Sequence, residues 1–324
     1  MSDMATPAQC RQRGVFTAQV LANRPICREH YLLRLSVAGF PASVPGQFVN
    51  VRCGRMDEHR PRPVPWSGAG LPRLSQPELA GRQPLLRRPF SLAGRRDRPD
   101  GTAELEVIHH VVGVGTALLA ELSAGDEVDL LGPLGNGFSL PGHGRSAALV
   151  GGGVGIPPLL YLAEALRSAG STAVAFAGAR TAHLLPLTID PREPPSQAGW
   201  PTMCTAEFGV RGVPTAMTTD DGSLGATGLV HEALERWLDD RQERAADLAV
   251  YACGPQPMMK AVAGICHRRA IPCQLALERH MACGMGTCQG CVVRVKAETA
   301  QGWAFKLVCK DGPVFDAEEL AWDL

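Results

Sequence analysis

Apolar positions in the first 145 or so residues come in short runs separated by turn residues. Runs at 31–37, 47–51, 105–110 and 127–131 have strand length, and Pro45-Gly46 and Gly132-Pro133 punctuate them. From Arg145 the rhythm changes. Ala147-Ala148-Leu149-Val150 reads as a buried strand, followed by glycines and a helix over 156–168. Further strands are expected at 172–177 and 248–252, and a helix over 256–269. Strands alternating with helices predict a parallel sheet covered on both faces. The last 50 or so residues are dense in cysteine, with short strand-like pieces. One stretch, 54–84, has six prolines and no apolar period, and reads as a long insertion.

Length and composition narrow the class. A chain of 324 residues with 45% hydrophobic residues accommodates two or three domains and rules out global disorder. Lys+Arg and Asp+Glu are both 32, which excludes coating of nucleic acid or an anionic membrane by bulk charge. Aromatic residues, at 5%, also make a base-stacking role a poor fit. The first residues lack the basic-then-apolar run of a signal peptide. The longest stretch without a charged residue or His, 146–163, is broken by four glycines and Pro157-Pro158. It therefore fits a strand–turn–helix better than a membrane span. A cytoplasmic protein with reduced thiols is expected.

The eleven cysteines separate by spacing. Cys283-x4-Cys288-x2-Cys291, with Cys309 beyond a gap of seventeen residues, has the plant-type spacing of a [2Fe–2S] site. Three thiolates on one loop wrap one side of a small cluster, and a distant fourth closes it. Gly284, Gly286 and Gly290 let the loop turn tightly, so that backbone N–H groups face the sulfurs. A structural zinc site is the competing use of four cysteines, although zinc favours two paired knuckles and Cys309 stands alone. Of the other seven (Cys10, Cys27, Cys53, Cys204, Cys253, Cys266 and Cys273), six read as packing residues. Cys253 differs, because Cys253-Gly254-Pro255 follows a strand, where open α/β sheets place ligands.

The run Gly151-Gly152-Gly153-Val154-Gly155 joins a strand to a helix that opens on Pro157-Pro158. Such glycines admit a pyrophosphate to the backbone at a helix N-terminus, and the same residues also suit a plain tight turn. The expected acidic residue at the next strand end is missing; Gly178-Ala179-Arg180 stands there, which leaves NAD and NADP both open. Upstream, Arg87-Arg88-Pro89-Phe90-Ser91 offers Arg88 to a pyrophosphate and Ser91 as a hydrogen-bonding group for a flavin, or else forms a short basic turn.

The order of these motifs resembles the ferredoxin–NAD(P)+ reductase superfamily, in which a flavin-binding β-barrel precedes a nicotinamide-binding α/β domain. The tail narrows the resemblance. Leu277-Glu278-Arg279-His280-Met281-Ala282-Cys283 and its continuation to Cys291, then Val308-Cys309-Lys310-Asp311-Gly312-Pro313-Val314-Phe315, is similar to electron-transfer subunits of class 1B, NAD+-dependent dihydroorotate dehydrogenases. Thr219-Asp220-Asp221-Gly222-Ser223-Leu224-Gly225 is similar to their nicotinamide domain.

The resemblance implies three units: an FAD-binding β-barrel over 1–144, interrupted by the insertion; an NAD-binding α/β domain over 145–272; and a small [2Fe–2S] domain over 273–324. It implies Arg88, Pro89, Phe90 and Ser91, the strand residues Ile108, His109 and His110, and Gly115 and Thr116 as FAD contacts. Gly151, Gly152, Gly153, Gly155, Cys253, Gly254 and Pro255 would hold the nicotinamide nucleotide, and Cys283, Cys288, Cys291 and Cys309 the cluster. No acid–base catalytic group is expected. The implied function is electron transfer between NAD+ and a partner through FAD and the cluster. The partner would be an FMN-containing catalytic subunit that oxidises dihydroorotate for pyrimidine biosynthesis, in a heterotetramer. The chain itself lacks a barrel of the ~250 residues such chemistry uses. Competing readings are a diaphorase-like subunit of a sulfhydrogenase or transhydrogenase complex, and a zinc-stabilised interaction module.

Overall fold

The computed structural model describes residues 12–54, 86–142, 144–241 and 247–322. The 54–84 insertion, apart from Gly54, and Cys10 lie outside the described residues. The first unit is a closed antiparallel barrel of β1 (Gly14–Cys27), β2 (His30–Ala38), β3 (Phe48–Val51), β4 (Arg88–Asp97), β5 (Thr102–His110) and β6 (Glu127–Leu134), in the order β1-β2-β5-β4-β3-β6. Period-2 alternation builds it. Leu33, Leu35 and Val37 of β2 and Ala103, Leu105 and Val107 of β5 all point into one core. A short helix, α1 (Val114–Ala120), closes one end through buried Leu119.

The second unit is a seven-stranded sheet of β7 (Ser146–Gly152), β8 (Ala173–Ala179), β9 (Thr215–Thr219), β10 (Ala226–Thr227), β11 (Leu248–Cys253), β12 (Cys273–Ala276) and β15 (Val314–Asp316). The strand order is β10-β9-β8-β7-β11-β12-β15, so the chain reverses direction across the sheet between β7 and β11. Helix α2 (Ile156–Ser168) covers one face; α4 (Val230–Arg241) and α5 (Gln256–Arg268) cover the other. A one-turn helix, α3 (Ala206–Gly209), adds Phe208 to the α2 side. In α4 the buried residues Val230, Ala233, Leu234, Trp237 and Leu238 recur at i, i+3, i+4, i+7 and i+8, and Trp237 meets Phe176 edge-on at 5.5 Å.

Two features differ from a purely parallel sheet followed by a separate cluster unit. β12 pairs parallel with β11, and β15 pairs antiparallel with β12, so two strands of the 273–324 segment complete the nucleotide sheet. The cause is local: Cys273, Leu275 and Ala276 are buried apolar residues that cover the exposed edge of β11. Only the hairpin of β13 (Val292–Lys296) and β14 (Trp303–Leu307) stands outside it.

Buried polar contacts lock the units together. The Asn136 side chain brackets β15, donating to the Val314 carbonyl at 2.9 Å and accepting from the Val314 amide at 2.9 Å. Tyr161 of α2 donates to the Ser43 carbonyl at 2.8 Å, and Tyr251 of β11 to that of Ser139 at 2.9 Å.

Candidate functional site

The flavin motif lies where the barrel parts. Residues 88–91 of β4 pair with β3, Arg88 opposite Val51 and Ser91 opposite Phe48. Residues 108–110 of β5 pair with β2. Between β4 and β5 the ladder begins only at Leu92 and Val107, with an irregularity by Gly94 and Glu106. The two strands therefore splay apart over the residues expected to contact FAD, and the facing backbone edges are free for a ligand.

Side chains converge on the same opening. Phe90 and His109 meet edge-on at 6.0 Å, and His109 stacks on Tyr31 at 5.6 Å. His109 is 1% exposed, and neither ring nitrogen has a hydrogen-bond partner. Burial and the neighbouring His30 and His110 push its pKa down to about 4, so the ring is neutral at physiological pH, with one donor and one acceptor to offer. His110 is not exposed as a free strand residue would be; it stacks on His30 at 4.3 Å and reaches Glu29 at 3.3 Å. Arg87 is tied to Asp129, whereas Arg88 pairs with no carboxylate among the described residues. The Arg88 side chain instead lies against Gly115, where an added Cβ would stand 3.6 Å from its Nε. Thr116 Oγ1 accepts from the Val112 and Gly113 amides, holding the turn before α1 in place. A guanidinium bonded only to the Leu86 and Arg87 carbonyls and beside a glycine turn, a parted ladder and an orphaned buried imidazole fit a flavin dinucleotide.

The nucleotide candidates meet at the reversal point of the sheet, where ligands of such sheets bind. The turns after β7 and β11 approach backbone to backbone. A Cβ on Gly155 would stand 2.1 Å from the Cys253 carbonyl oxygen, and one on Gly254 would stand 3.1 Å from the Gly152 nitrogen. Gly153 has φ +52° with nothing within 4 Å of its Cβ position, so that backbone faces open space. Cys253 is buried and its thiol is pushed up to about 12 by desolvation and by Glu278, which keeps it a neutral, small group. The strand end of β8 lacks an acid, yet the amides of Asp220 and Asp221, after β9, bond back to the carbonyls of Ala179 and Arg180 at 3.1 and 3.3 Å. The structure thus brings the Asp220-Asp221 backbone beside the end of β8, a neighbour that the spacing within 178–180 did not show.

The four spaced cysteines form two close pairs. Cys283 Sγ accepts from the Met285 and Cys288 amides at 3.5 and 3.4 Å, and Cys291 Sγ accepts from the Cys309 amide at 3.4 Å. Burial opposes ionisation of Cys283, but hydrogen bonds from the 285–288 backbone and the Cys288 side chain outweigh it and hold the thiol at about 6. Burial and the Cys291 side chain push Cys309 up to about 12. Gly284 and Gly286, with φ +69° and +95°, let the loop fold its amides inward. Among the described residues no three His, Cys, Asp or Glu side chains surround a single-ion position. Two pairs of thiols, each supplied with amide donors, fit a two-iron cluster with two thiolates on each iron.

Asn50 is a site neighbour that no motif in the sequence marked, and Cys53 reads there as a packing residue. Both are fully buried near the flavin motif, Cys53 Sγ lying 3.2 Å from the Cβ position of Gly115. The one signal for Asn50 was a polar residue inside an apolar run.

Barrel, reversed sheet and paired-cysteine loop together define a reductase of the ferredoxin–NAD(P)+ reductase type. The sequence model of the iron–sulfur cluster binding domain of dihydroorotate dehydrogenase B matches residues 278–321. The chain is 31% identical over 310 residues to the dihydroorotate dehydrogenase B (NAD(+)) electron transfer subunit of Desulforamulus reducens, covering 95% of this chain and 99% of that one. It is 38% identical over 307 residues to the subunit of the same name from a Geobacillus species, covering 93% and 96%. The chain belongs to the family of dihydroorotate dehydrogenase B electron transfer subunits. Among solved structures, it resembles a chain of an NADH-dependent reduced ferredoxin–NADP oxidoreductase with a TM-score of 0.68 and 26% identity, over 94% of this chain and 90% of that one. Phthalate dioxygenase reductase shares the fold, with a TM-score of 0.53 and 16% identity over 92% and 78%. Among the described residues no helix is long and apolar enough to cross a membrane.

Replacing the Arg88 guanidinium, which no carboxylate neutralises among the described residues, tests the flavin assignment. Arg88→Ala is expected to lower FAD occupancy at least about 10-fold at limiting FAD, the cost of one charge-assisted contact to a phosphate. Fluorescence of FAD released on denaturation, measured per chain, checks it; full retention removes Arg88 from the site.

Proposed function

We propose that this chain links NAD+ to the FMN-containing catalytic subunit of a dihydroorotate dehydrogenase, in a heterotetramer, and takes up the electrons released by dihydroorotate oxidation in pyrimidine biosynthesis. The chain is an oxidoreductase component that uses FAD, a [2Fe–2S] cluster and NAD. When bound, FAD exchanges hydride with NAD(H) and single electrons with the cluster. The protein's own residues supply placement. Arg88 and the Gly113–Thr116 turn orient the pyrophosphate; Pro89, Phe90, Ser91, Ile108, His109 and His110 border the ring system; and Cys283, Cys288, Cys291 and Cys309 hold the irons. Gly151, Gly152, Gly153 and Gly155 admit the nucleotide phosphates, while Cys253, Gly254 and Pro255 border the nicotinamide without exchanging a proton. The units are a flavin barrel to 144, a nucleotide unit from 145 and a cluster unit from 273 that lends β12 and β15 to the nucleotide sheet. A cluster held by thiolates calls for a compartment that keeps thiols reduced, and we place the protein in the cytoplasm.

The observation that supports this reading is convergence. β5 contacts the Gly153–Gly155 turn, Glu278 acts electrostatically on Cys253, and Asn50 of the barrel bonds the Cys283 loop. The residues proposed for the three cofactors thus adjoin one another, as a relay requires. The test is anaerobic purification from the native host. The expected product contains FAD, about two irons with acid-labile sulfide per chain, and a copurifying subunit with FMN; only the complex reduces NAD+ with dihydroorotate. Zinc without sulfide, or a partner inert towards dihydroorotate, overturns the reading, the latter in favour of another electron partner on the same relay.

A further inference from the structure

We propose that Asn50 is a positioning residue for electron exchange between the flavin and the iron–sulfur cluster, acting through the backbone of the first cluster ligand, Cys283. The inference rests on the cofactor assignment above. Asn50 lies on β3 directly opposite Pro89 of the flavin motif. Its side chain leaves the barrel and donates from Nδ2 to the Cys283 carbonyl at 3.3 Å, across 233 positions of sequence. The contact is also steric. A Cβ on Gly284 would stand 2.0 Å from Asn50 Nδ2 and 3.2 Å from Oδ1, so the amide fills the space that the missing side chain leaves. Glycine at 284 is thus fixed twice, by φ +69° and by Asn50.

Asn50 is 1% exposed, and its Oδ1 is buried with no partner. An unsatisfied buried acceptor costs about 1–3 kcal/mol, and Val49 and Val51 on either side show that this strand otherwise carries apolar residues. Filling space alone would favour an apolar side chain here. A polar one, with its donor committed to the ligand loop, ties the flavin strand pair to Cys283 so that neither moves without the other. In the exchange, one electron leaves the reduced flavin and one ferric iron of the cluster becomes ferrous; no atom crosses with it.

Two variants separate positioning from structure. Asn50→Leu keeps the γ-branched shape and removes the donor; Asn50→Ser keeps polarity but is too short to reach Cys283. In anaerobic single-turnover mixing of the full chain with NADH, both are expected to lower the rate of cluster reduction at least about 10-fold relative to flavin reduction in the same sample, as loss of a partner to a metal ligand does. The electron paramagnetic resonance spectrum of the reduced cluster should shift with it, at normal iron, sulfide and FAD content. A rate ratio within about twofold of the parent, with an unchanged spectrum, overturns the proposal. So does loss of iron from both variants, which assigns Asn50 to folding alone. Absence of a cluster from the parent chain would instead overturn the cofactor assignment.

Discussion

Replacing Cys288 by alanine is expected to abolish cluster assembly and, with it, electron delivery to any partner, while NADH still reduces the bound flavin. Cys288 contributes twice: its thiol pairs with Cys283, and its amide donates to Cys283 Sγ. The substitution keeps the amide and removes the ligand, so the loop retains its fold but offers one iron a single thiolate. Partners that merely support metal ligands change affinity by about 10–100-fold; loss of a ligand exceeds that, and electron output should fall at least about 100-fold. The flavin contacts proposed above lie on β4, β5 and the start of α1, none of which includes Cys288. Iron and sulfide analysis, with separate assays of flavin reduction and of electron delivery, checks the split. Cys266→Ala and Cys273→Ala are the controls. These two thiols are buried and hydrogen-bonded to each other on α5 and β12, and that contact, together with burial, keeps Cys273 protonated. Both controls should retain full cluster content. Equal loss of flavin reduction in folded Cys288→Ala would overturn the modular reading.

The parts of the fold that were legible in the sequence are those in which local pattern and tertiary demand agree. The helix at 156–168 was bounded by glycines before it and polar residues after it, and it spans those residues. The strand at 248–252 is buried along its whole length, which is why it reads as a continuous apolar run. β1 was not legible. Its fourteen residues include Asn23, Arg24 and Pro25, and most of its side chains are exposed or half-buried. Its strand character comes from pairing with β2 and β6, not from its own pattern. β12 and β15 were read only as part of the cysteine-rich tail, because four and three residues carry too little periodicity to announce a sheet edge. For the candidate site, the cysteines were legible by spacing alone. Asn50 and the Asp220-Asp221 turn beside the end of β8 were not, since each matters through a neighbour far away in sequence.

The same distinction governs the substitution expected to act most strongly on the nucleotide side, Gly155→Ala. In sequence Gly155 is the last of four glycines in a turn; in the structure it is the point where two turns touch. The added methyl would sit 2.1 Å from the Cys253 carbonyl oxygen, 2.3 Å from its carbon and 2.6 Å from Gly254 Cα. All three are backbone atoms, so no side chain can rotate away, and the turns after β7 and β11 must separate by about 1 Å to restore ordinary contact. Overpacking of this kind costs about 1–3 kcal/mol, which the sheet beneath can absorb, since β7 and β11 remain paired over six residue pairs. The functional cost is larger. The phosphate turn and the Cys253-Gly254-Pro255 turn would no longer share one geometry, and a misplacement of about 1 Å costs on the order of 100-fold in rate. NADH-dependent flavin reduction should therefore fall about 100-fold, with FAD and iron contents at the parent level. Gly264→Ala on α5 is the matched control. Its Cβ would meet only the mobile end of Arg268 at 3.5 Å, and alanine is the better helix former by about 1 kcal/mol. It should keep parental activity and gain slightly in thermal midpoint. If Gly155→Ala reduced flavin as fast as Gly264→Ala, the nucleotide would have to bind elsewhere than at the junction of the two turns.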